Sequence, residues 1–177
     1  FDGSDLANDG WTGTNWRGDY KYYYFDANGH YETSCWHSIY HKYSDTTTWT
    51  YSKADGTRAE NEWLWINGSW YYFDGSDLAN DGWTGTNWRG NYKYYYFDAN
   101  GHYETNCWHS TYDKWNDVTT WTYSKADGTR AEDEWLPING SWYYFDGDTL
   151  ATNGWHGTWW NGQYVRYYFD ANGHYSY

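Results

Sequence analysis

Seven tryptophans set a rhythm along the chain. Trp11, Trp36, Trp63, Trp83, Trp108, Trp135 and Trp155 follow one another at intervals of 25, 27, 20, 25, 27 and 20 residues. An indole face packs on a sugar ring or against a cation, so a recurring indole offers non-covalent binding at regular steps. Covalent chemistry has no comparable foothold. The seven histidines (His30, His37, His41, His102, His109, His156 and His174) recur mostly by repetition, and the second copy replaces His41 with Asp113. Catalysis rests on one asymmetric constellation rather than several near-identical ones. There is no Gly-x-Ser-x-Gly, no His-Glu-x-x-His and no phosphate-binding loop. The 24 carboxylates single out no acid–base pair. Asp2-Gly3-Ser4-Asp5 and Asp74-Gly75-Ser76-Asp77 lack the spaced ligands and closing Glu of a calcium loop and read as Asx turns. The residue pattern points to no catalytic group, no metal and no cofactor.

The elements that position the tryptophans follow from an internal repeat. Residues 1–72 and 73–144 align without a gap and differ at 9 positions, among them Ser34/Asn106, His41/Asp113 and Trp65/Pro137; residues 145–177 begin a third copy. Each copy holds three Trp-led units, with a strand-like run, a turn and an aromatic run closing on Asp or Lys. The clearest is Glu62-Trp63-Leu64-Trp65-Ile66-Asn67-Gly68-Ser69-Trp70-Tyr71-Tyr72-Phe73. Asn-Gly supplies two residues that tolerate positive φ, which specifies a two-residue hairpin turn. That turn pairs Trp65 with Trp70 and Trp63 with Tyr72. Alternation then puts Trp63, Trp65, Trp70 and Tyr72 on one face and Leu64, Ile66, Tyr71 and Phe73 on the other. Trp83 to Tyr96 closes similarly around Arg89-Gly90, and Trp108 to Tyr123 needs a longer loop near 113–118. The expected fold is all-β, a solenoid of about seven stacked β-hairpins, because a lone hairpin is marginal in water. Phe1 enters mid-repeat, so residues 1–177 read as one repeat module at the C-terminal end of a longer protein, capped by its most divergent hairpin.

Composition agrees with aromatic packing and excludes other classes. Leu, Ile, Val and Phe number 16, about 9% of 177 residues, against 17 Trp and 24 Tyr. Rings therefore replace aliphatics as the apolar mass. A net charge of −13 repels phosphate backbones, which argues against nucleic-acid partners. No apolar run approaches the length of a membrane span, and nothing resembles a signal peptide. Cys35 and Cys107 sit one repeat apart, too far to pair, and read as small hydrophobes.

The unit Trp63 to Asp74, followed by Gly75 and Gly82-Trp83, resembles the choline-binding and glucan-binding repeats of Gram-positive surface proteins and phage lysins. The 72-residue triple unit is also similar to the Bsp-type repeats of streptococcal wall hydrolases. The resemblance implies a secreted or cell-surface, non-catalytic module. Such a module anchors a wall hydrolase or surface protein to cell-wall polysaccharide, teichoic acid or peptidoglycan. It implies ligand sites between hairpins, each made from an opening Trp, the Trp of Trp-Tyr-Tyr and the next aromatic. By position these are Trp63, Trp70 and Trp83, and Trp135, Trp142 and Trp155. A second kind comprises Trp36, Trp49 and Trp63, and Trp108, Trp121 and Trp135. The fourth wall falls on Leu6, Leu78 and Leu150, on Tyr31, Tyr103 and Tyr175, or on Arg58 and Arg130. An arginine there repels a quaternary ammonium and suits a glycan better. Two other readings compete: a structural stalk without a small ligand, and a fragment of a glycan-active enzyme.

Overall fold

Short aromatic runs separated by Asx and Gly residues pair locally, and each Trp-led segment forms its own antiparallel hairpin. The computed structural model describes residues 6–16 and 18–176; Phe1 and the expected Asp2-Gly3-Ser4-Asp5 turn lie outside them. β1 (Gly10–Thr14) pairs with β2 (Lys21–Phe25), and β3 (Cys35–His41) with β4 (Thr46–Ser52). β5 (Glu62–Ile66) pairs with β6 (Ser69–Asp74), which also takes the short β7 (Asp77–Leu78). β8 (Gly82–Thr86) pairs with β9 (Lys93–Phe97), and β10 (Cys107–Asp113) with β11 (Val118–Ser124). β12 (Trp135–Ile138) pairs with β13 (Ser141–Asp146), extended by β14 (Thr149–Leu150). β15 (Gly154–Trp160) pairs with β16 (Gln163–Phe169), extended by β17 (Tyr175–Ser176). The described residues form an all-β fold of seven hairpins. Among the described residues the one helical element is a 3-10 turn, Trp88–Gly90.

The chain divides into two compact units. One holds the described residues up to Gly82 with Ala99–His102; the other holds Trp83–Asp98 and the residues from Tyr103 onward.

Turn chemistry sets the register. Asn67 and Gly68 take φ of 48° and 91°, a type I′ turn, and the expected pairs Trp65–Trp70 and Trp63–Tyr72 form. Asn139-Gly140 and Asn161-Gly162 repeat this geometry. The β8–β9 connection differs from the tight closure expected at Arg89-Gly90. Only Gly90 there adopts positive φ, so the chain takes a wider path through the 3-10 turn. β10 and β11 close at Asp113–Val118, leaving the longer loop expected. Asp74 and Asp77 pair across Gly75-Ser76, so this stretch is a turn between strands. Pro137 lies opposite Trp142 on β12, an edge strand of its sheet. One step from the turn-closing pair, its nitrogen faces outward and forfeits no ladder bond.

A left-handed residue precedes the opening strand of each hairpin. Asp9, Ser34, Asn61, Asp81, Asn106, Asp133 and Asn153 all have φ between 47° and 54°, and each stands two residues before an opening Trp. Asp and Asn tolerate this conformation better than most side chains. The amide at the joint donates to the far end of the hairpin it opens, as in Asn61 N–H to Gly75 O (2.8 Å) and Asp133 N–H to Gly147 O (2.8 Å). Asn61 and Asp133 also accept, through Oδ1, from the Gly75 and Gly147 amides.

The joints let hairpins stack through their apolar faces. Ala59, Ile66 and Phe73 form one core with Leu64, Tyr71, Trp36, Tyr51 and Leu78 around them. Ala131, Ile138, Phe145 and Tyr123 form its counterpart in the second unit, with Trp108, Leu136, Tyr143 and Leu150. The face expected to hold Leu64, Ile66, Tyr71 and Phe73 packs into this core, and in the second unit the opposite face is buried as well, with Tyr144 and Trp135 against Ala151, Tyr167 and Phe169. Indole nitrogens tie hairpins together as well: Trp11 Nε1 donates to Thr50 Oγ1 and Trp83 Nε1 to Thr122 Oγ1, both at 3.0 Å.

Close packing fixes one glycine more strictly than its conformation does. A Cβ at Gly56 (φ 80°) would lie 2.1 Å from the Tyr31 ring, which is pinned by its hydroxyl donating to Asp55 O. Gly68 (φ 91°) has open space around it. We predict that Gly68→Ala costs about 1 kcal/mol through backbone strain alone. Gly56→Ala should cost several kcal/mol, because strain and steric overlap combine. Denaturant melts of the two variants check this; equal losses would refute the packing argument.

Candidate functional site

One hairpin architecture produces three different aromatic assemblies. The first is a cage in the second unit. Trp135 from β12, Trp142 from β13, Trp160 from β15, Tyr167 from β16 and Tyr175 from β17 surround a cavity of about 50 Å³. Strand alternation puts Trp135 and Trp142 on one face of their hairpin. Trp135 meets Trp160 (5.4 Å, 66°), Tyr167 (5.2 Å, 76°) and Tyr175 (5.3 Å, 82°) edge-on, and Trp142 meets Trp160 at 5.5 Å and 81°. The buried Trp135 Nε1 has no hydrogen-bond partner. The lining is aromatic throughout, so the cage presents ring π-faces without a competing cation. The Trp–Tyr–Tyr corner recurs elsewhere. Trp16 sits 5.4 Å from Tyr23 and 5.5 Å from Tyr31, and Trp88 sits 5.5 Å from Tyr95 and 5.7 Å from Tyr103.

The second assembly is wider. In the first unit Trp36, Trp49, Tyr71 and Leu78 line a groove of about 380 Å³ with Asn100 and His102 on its rim. Trp36 packs on Tyr71 at 5.1 Å, and Tyr71 on His102 at 5.4 Å. The second unit repeats the ring contacts: Trp108 with Tyr143 (5.3 Å) and Trp121 (6.5 Å), and Tyr143 with His174 (5.8 Å).

The third assembly holds a cation of its own. The Arg58 guanidinium lies 4.1 Å from the centroid of Tyr22 and 5.4 Å from that of Trp11. Arg130 repeats this over Tyr94 (4.2 Å) and Trp83 (5.5 Å). Glu60 accepts from Arg58 Nε, and Glu132 and Asp148 pair with Arg130, which fixes each guanidinium on its rings.

The residues named from sequence thus meet different fates. Trp135 and Trp142 come together, as do Trp36 with Trp49 and Trp108 with Trp121. Trp155 stands more than half exposed, edge-on to Tyr168 at 5.6 Å, with the Arg166 guanidinium 5.9 Å away; Trp160 completes the cage. Trp63 packs on Tyr72 (5.4 Å), and Trp70 meets Trp65 (5.4 Å). Trp83 abuts Tyr96 and His109. Trp160 and Tyr167 escaped the sequence reading. Their signal was a second Trp five residues after the opening one at 16, 88 and 160, once per 72 residues.

A polar cluster was missed too. Glu32, Cys35 and His37, and again Glu104, Cys107 and His109, bring one ligand atom each to within 4.8 Å of one another. Both cysteines are free thiols and half-buried. Burial, then the charge and hydrogen bond of Glu104, push the Cys107 thiol up from its usual pKa. Burial pulls His109 down to about 4 and lowers His37. The available signal was Glu-x-x-Cys-x-His in both copies.

The depressed histidine gives a pH dependence with a definite sign. Unfolded, His109 protonates near its ordinary pKa of about 6.5; folded, it waits until about 4. The unfolded chain therefore takes up the proton first. Stability present above pH 6.5 should fall as pH drops toward 4, by on the order of 3 kcal/mol for this site. Asp26, Asp113 and Asp170 are lowered by hydrogen bonds from neighbouring groups, so their loss comes at still lower pH. Urea melts of chelator-treated protein from pH 7.5 to 4 test this; a flat profile would refute it.

Comparison with known proteins places this geometry. Residues 61–76 and 133–148 match the family model described as "Putative cell wall binding repeat". A Streptococcus pneumoniae protein named "Putative endo-beta-N-acetylglucosaminidase" is 36% identical over 101 residues, which is 56% of this chain and 14% of that protein. Choline binding protein F from Streptococcus pneumoniae superposes on 96% of this chain and 48% of its own, with TM-score 0.60 and 28% identity. The choline-binding domain of CbpL from the same organism covers 97% of this chain and 98% of its own, at TM-score 0.50 and 25% identity. The chain thus spans about one seventh of the curated relative and about half of choline binding protein F.

Proposed function

We infer the function of this chain from its membership of the choline-binding family of cell wall binding repeats. It is a non-catalytic binding module, and we propose that it retains a secreted or cell-surface protein on the bacterial wall by holding quaternary ammonium groups of wall polymers. The carrying observation is the all-aromatic cage of Trp135, Trp142, Trp160, Tyr167 and Tyr175. Its cavity of about 50 Å³ accommodates roughly four water- or methyl-sized groups. That is the bulk of a trimethylammonium head and too little for a pyranose. A quaternary ammonium cannot donate a hydrogen bond, so ring faces suit it better than polar groups. A choline-bearing teichoic acid is the polymer this chemistry selects. Trp63 and Trp70, which hold the positions of Trp135 and Trp142 in the first copy, and Trp83 and Trp155 from the neighbouring hairpins, remain candidates for the same task by position.

The wider groove supports a second reading alongside the first. Trp36 and Trp49 with Asn100 and His102 offer a ring face and polar groups in about 380 Å³, which fits a sugar of the wall polysaccharide or peptidoglycan. Trp108 and Trp121 are its counterpart. The Arg58 and Arg130 assemblies take no choline on this reading, because a guanidinium already covers the rings. The 1–177 segment acts as one repeat module of a longer protein, with the activity, a wall hydrolase for example, elsewhere.

Each ring is worth about 0.5–2 kcal/mol to a bound cation. Trp142→Ala and Trp160→Ala should therefore weaken choline at that cage by about 2- to 30-fold. Retention on intact choline-bearing walls should fall less, since other sites hold the polymer at high effective concentration. Titration calorimetry and wall pull-down, with circular dichroism as the folding control, measure both. Unchanged choline binding in both variants would refute the cage; walls stripped of choline that still retain the parent chain would favour the glycan groove.

A further inference from the structure

We propose that each 72-residue repeat carries a transition-metal site, formed by Glu32, Cys35 and His37 and again by Glu104, Cys107 and His109. The backbone brings these residues together. Cys35 and His37 lie two apart on β3, so they project from the same face, and Cys107 and His109 do the same on β10. Glu32 and Glu104 are fixed just upstream by amides donating to Tyr24 O and Tyr96 O, both at 3.0 Å. In each copy the thiol sulfur, the imidazole Nδ1 and a carboxylate oxygen converge within 4.8 Å.

The histidine is held as a metal-binding histidine is held. His37 and His109 side chains are 4% and 6% exposed. Nε2 of each hydrogen-bonds a serine hydroxyl, Ser52 at 2.8 Å and Ser124 at 2.6 Å. One ring face stacks on Tyr24 (3.7 Å, 14°) or Tyr96 (3.5 Å, 16°), with Trp11 or Trp83 edge-on at 5.2 or 5.3 Å. In the tautomer whose Nε2–H donates to serine, the lone pair is on Nδ1, the nitrogen that faces the carboxylate at 3.5 or 3.6 Å. A hydrogen-bonded far nitrogen of this sort orients and strengthens a ligating imidazole.

The imidazole–carboxylate distances fit two ligands of one ion, at a site where the protonated Cys107 thiol hydrogen-bonds Glu104. Nδ1 lies 3.5 Å from Glu32 Oε2 in one copy and 3.6 Å from Glu104 Oε2 in the other. That is beyond a good N–H···O bond. Nitrogen and oxygen ligands at about 2.0–2.2 Å from one tetrahedral ion lie roughly 3.3–3.5 Å apart. A thiolate, an imidazole and a carboxylate suit Zn²⁺ and similar divalent ions rather than Ca²⁺ or Mg²⁺. Thiolate and carboxylate charges balance the ion, and a fourth position is left for water. The copies differ at nine positions, including Ser34/Asn106 inside the motif, yet both keep all three ligands and their geometry.

The test is Co²⁺ titration of the chelator-treated chain, followed by absorbance. We expect two ions per chain, a thiolate-to-cobalt charge-transfer band, and displacement by Zn²⁺. Cys35→Ser and Cys107→Ser should each remove one ion, and the double variant both, with the fold unchanged by circular dichroism. Zn²⁺ should slow alkylation of both thiols at least tenfold. Glu32→Gln, which keeps the thiol, should weaken cobalt at the first site alone. A spectrum without the charge-transfer band, or a stoichiometry untouched by the cysteine substitutions, would overturn the proposal. Choline binding reads out separately, so either result stands independently of the cage.

Discussion

The structure depends on a single backbone event repeated seven times. Two residues before each opening tryptophan, an Asp, Asn or Ser turns left-handed and starts the next hairpin. A two-stranded aromatic ribbon cannot persist alone in water, because one face of its rings stays wet. The joint amide closes the far end of the hairpin it opens, and within each unit neighbouring ribbons cover one another's rings. Phe73, Phe97, Phe145 and Phe169 are fully buried as a result, though the chain has almost no aliphatic core to offer them. Alanines at 59, 131 and 151 are buried alongside them, as expected where ribbons approach too closely for a larger side chain.

From this scaffold, small sequence differences give three kinds of ring assembly. Five rings without a charge leave a compact cavity that a bulky cation can fill. Two tryptophans with leucine, asparagine and histidine leave a broader groove. An arginine beside Trp and Tyr fills the space itself, anchored by carboxylates. Cation–π attraction operates in the first and third alike; the difference is whether the chain or its ligand supplies the cation. Binding power is therefore spread over few sites, which suits a polymer that presents the same group many times.

The same stacking has a consequence for the polar residues. Burying His37 and His109 between aromatic rings removes them from water and fixes their ring orientation. Each then needs a use for its inner nitrogen, and the thiol and carboxylate beside it offer one. Hairpin packing thus creates coordination geometry as readily as it creates aromatic grooves.

Much of this was legible in the amino-acid order. Trp spacing gave the seven hairpins, Asn-Gly the type I′ turns, and alternation the two side-chain sets of the Trp63–Phe73 hairpin. These are local properties: turn conformation and side-chain direction depend on residues a few positions apart. The tight closure expected at Arg89-Gly90 failed because one of its two residues resists positive φ. The sites were legible only in part. Trp135 with Trp142, and Trp36 with Trp49, belong to single hairpins and could be paired on paper. Their remaining walls come from elsewhere in the chain, Trp160 and Tyr167 from the β15–β16 hairpin in one case and His102 from the Ala99–His102 segment in the other, and packing sets their approach. The Arg58 and Arg130 stacking and the meeting of Glu, Cys and His have the same origin. The chain order determined each ribbon; only the stacking of ribbons decided which rings enclose space, because that depends on distances between residues that sequence spacing does not measure.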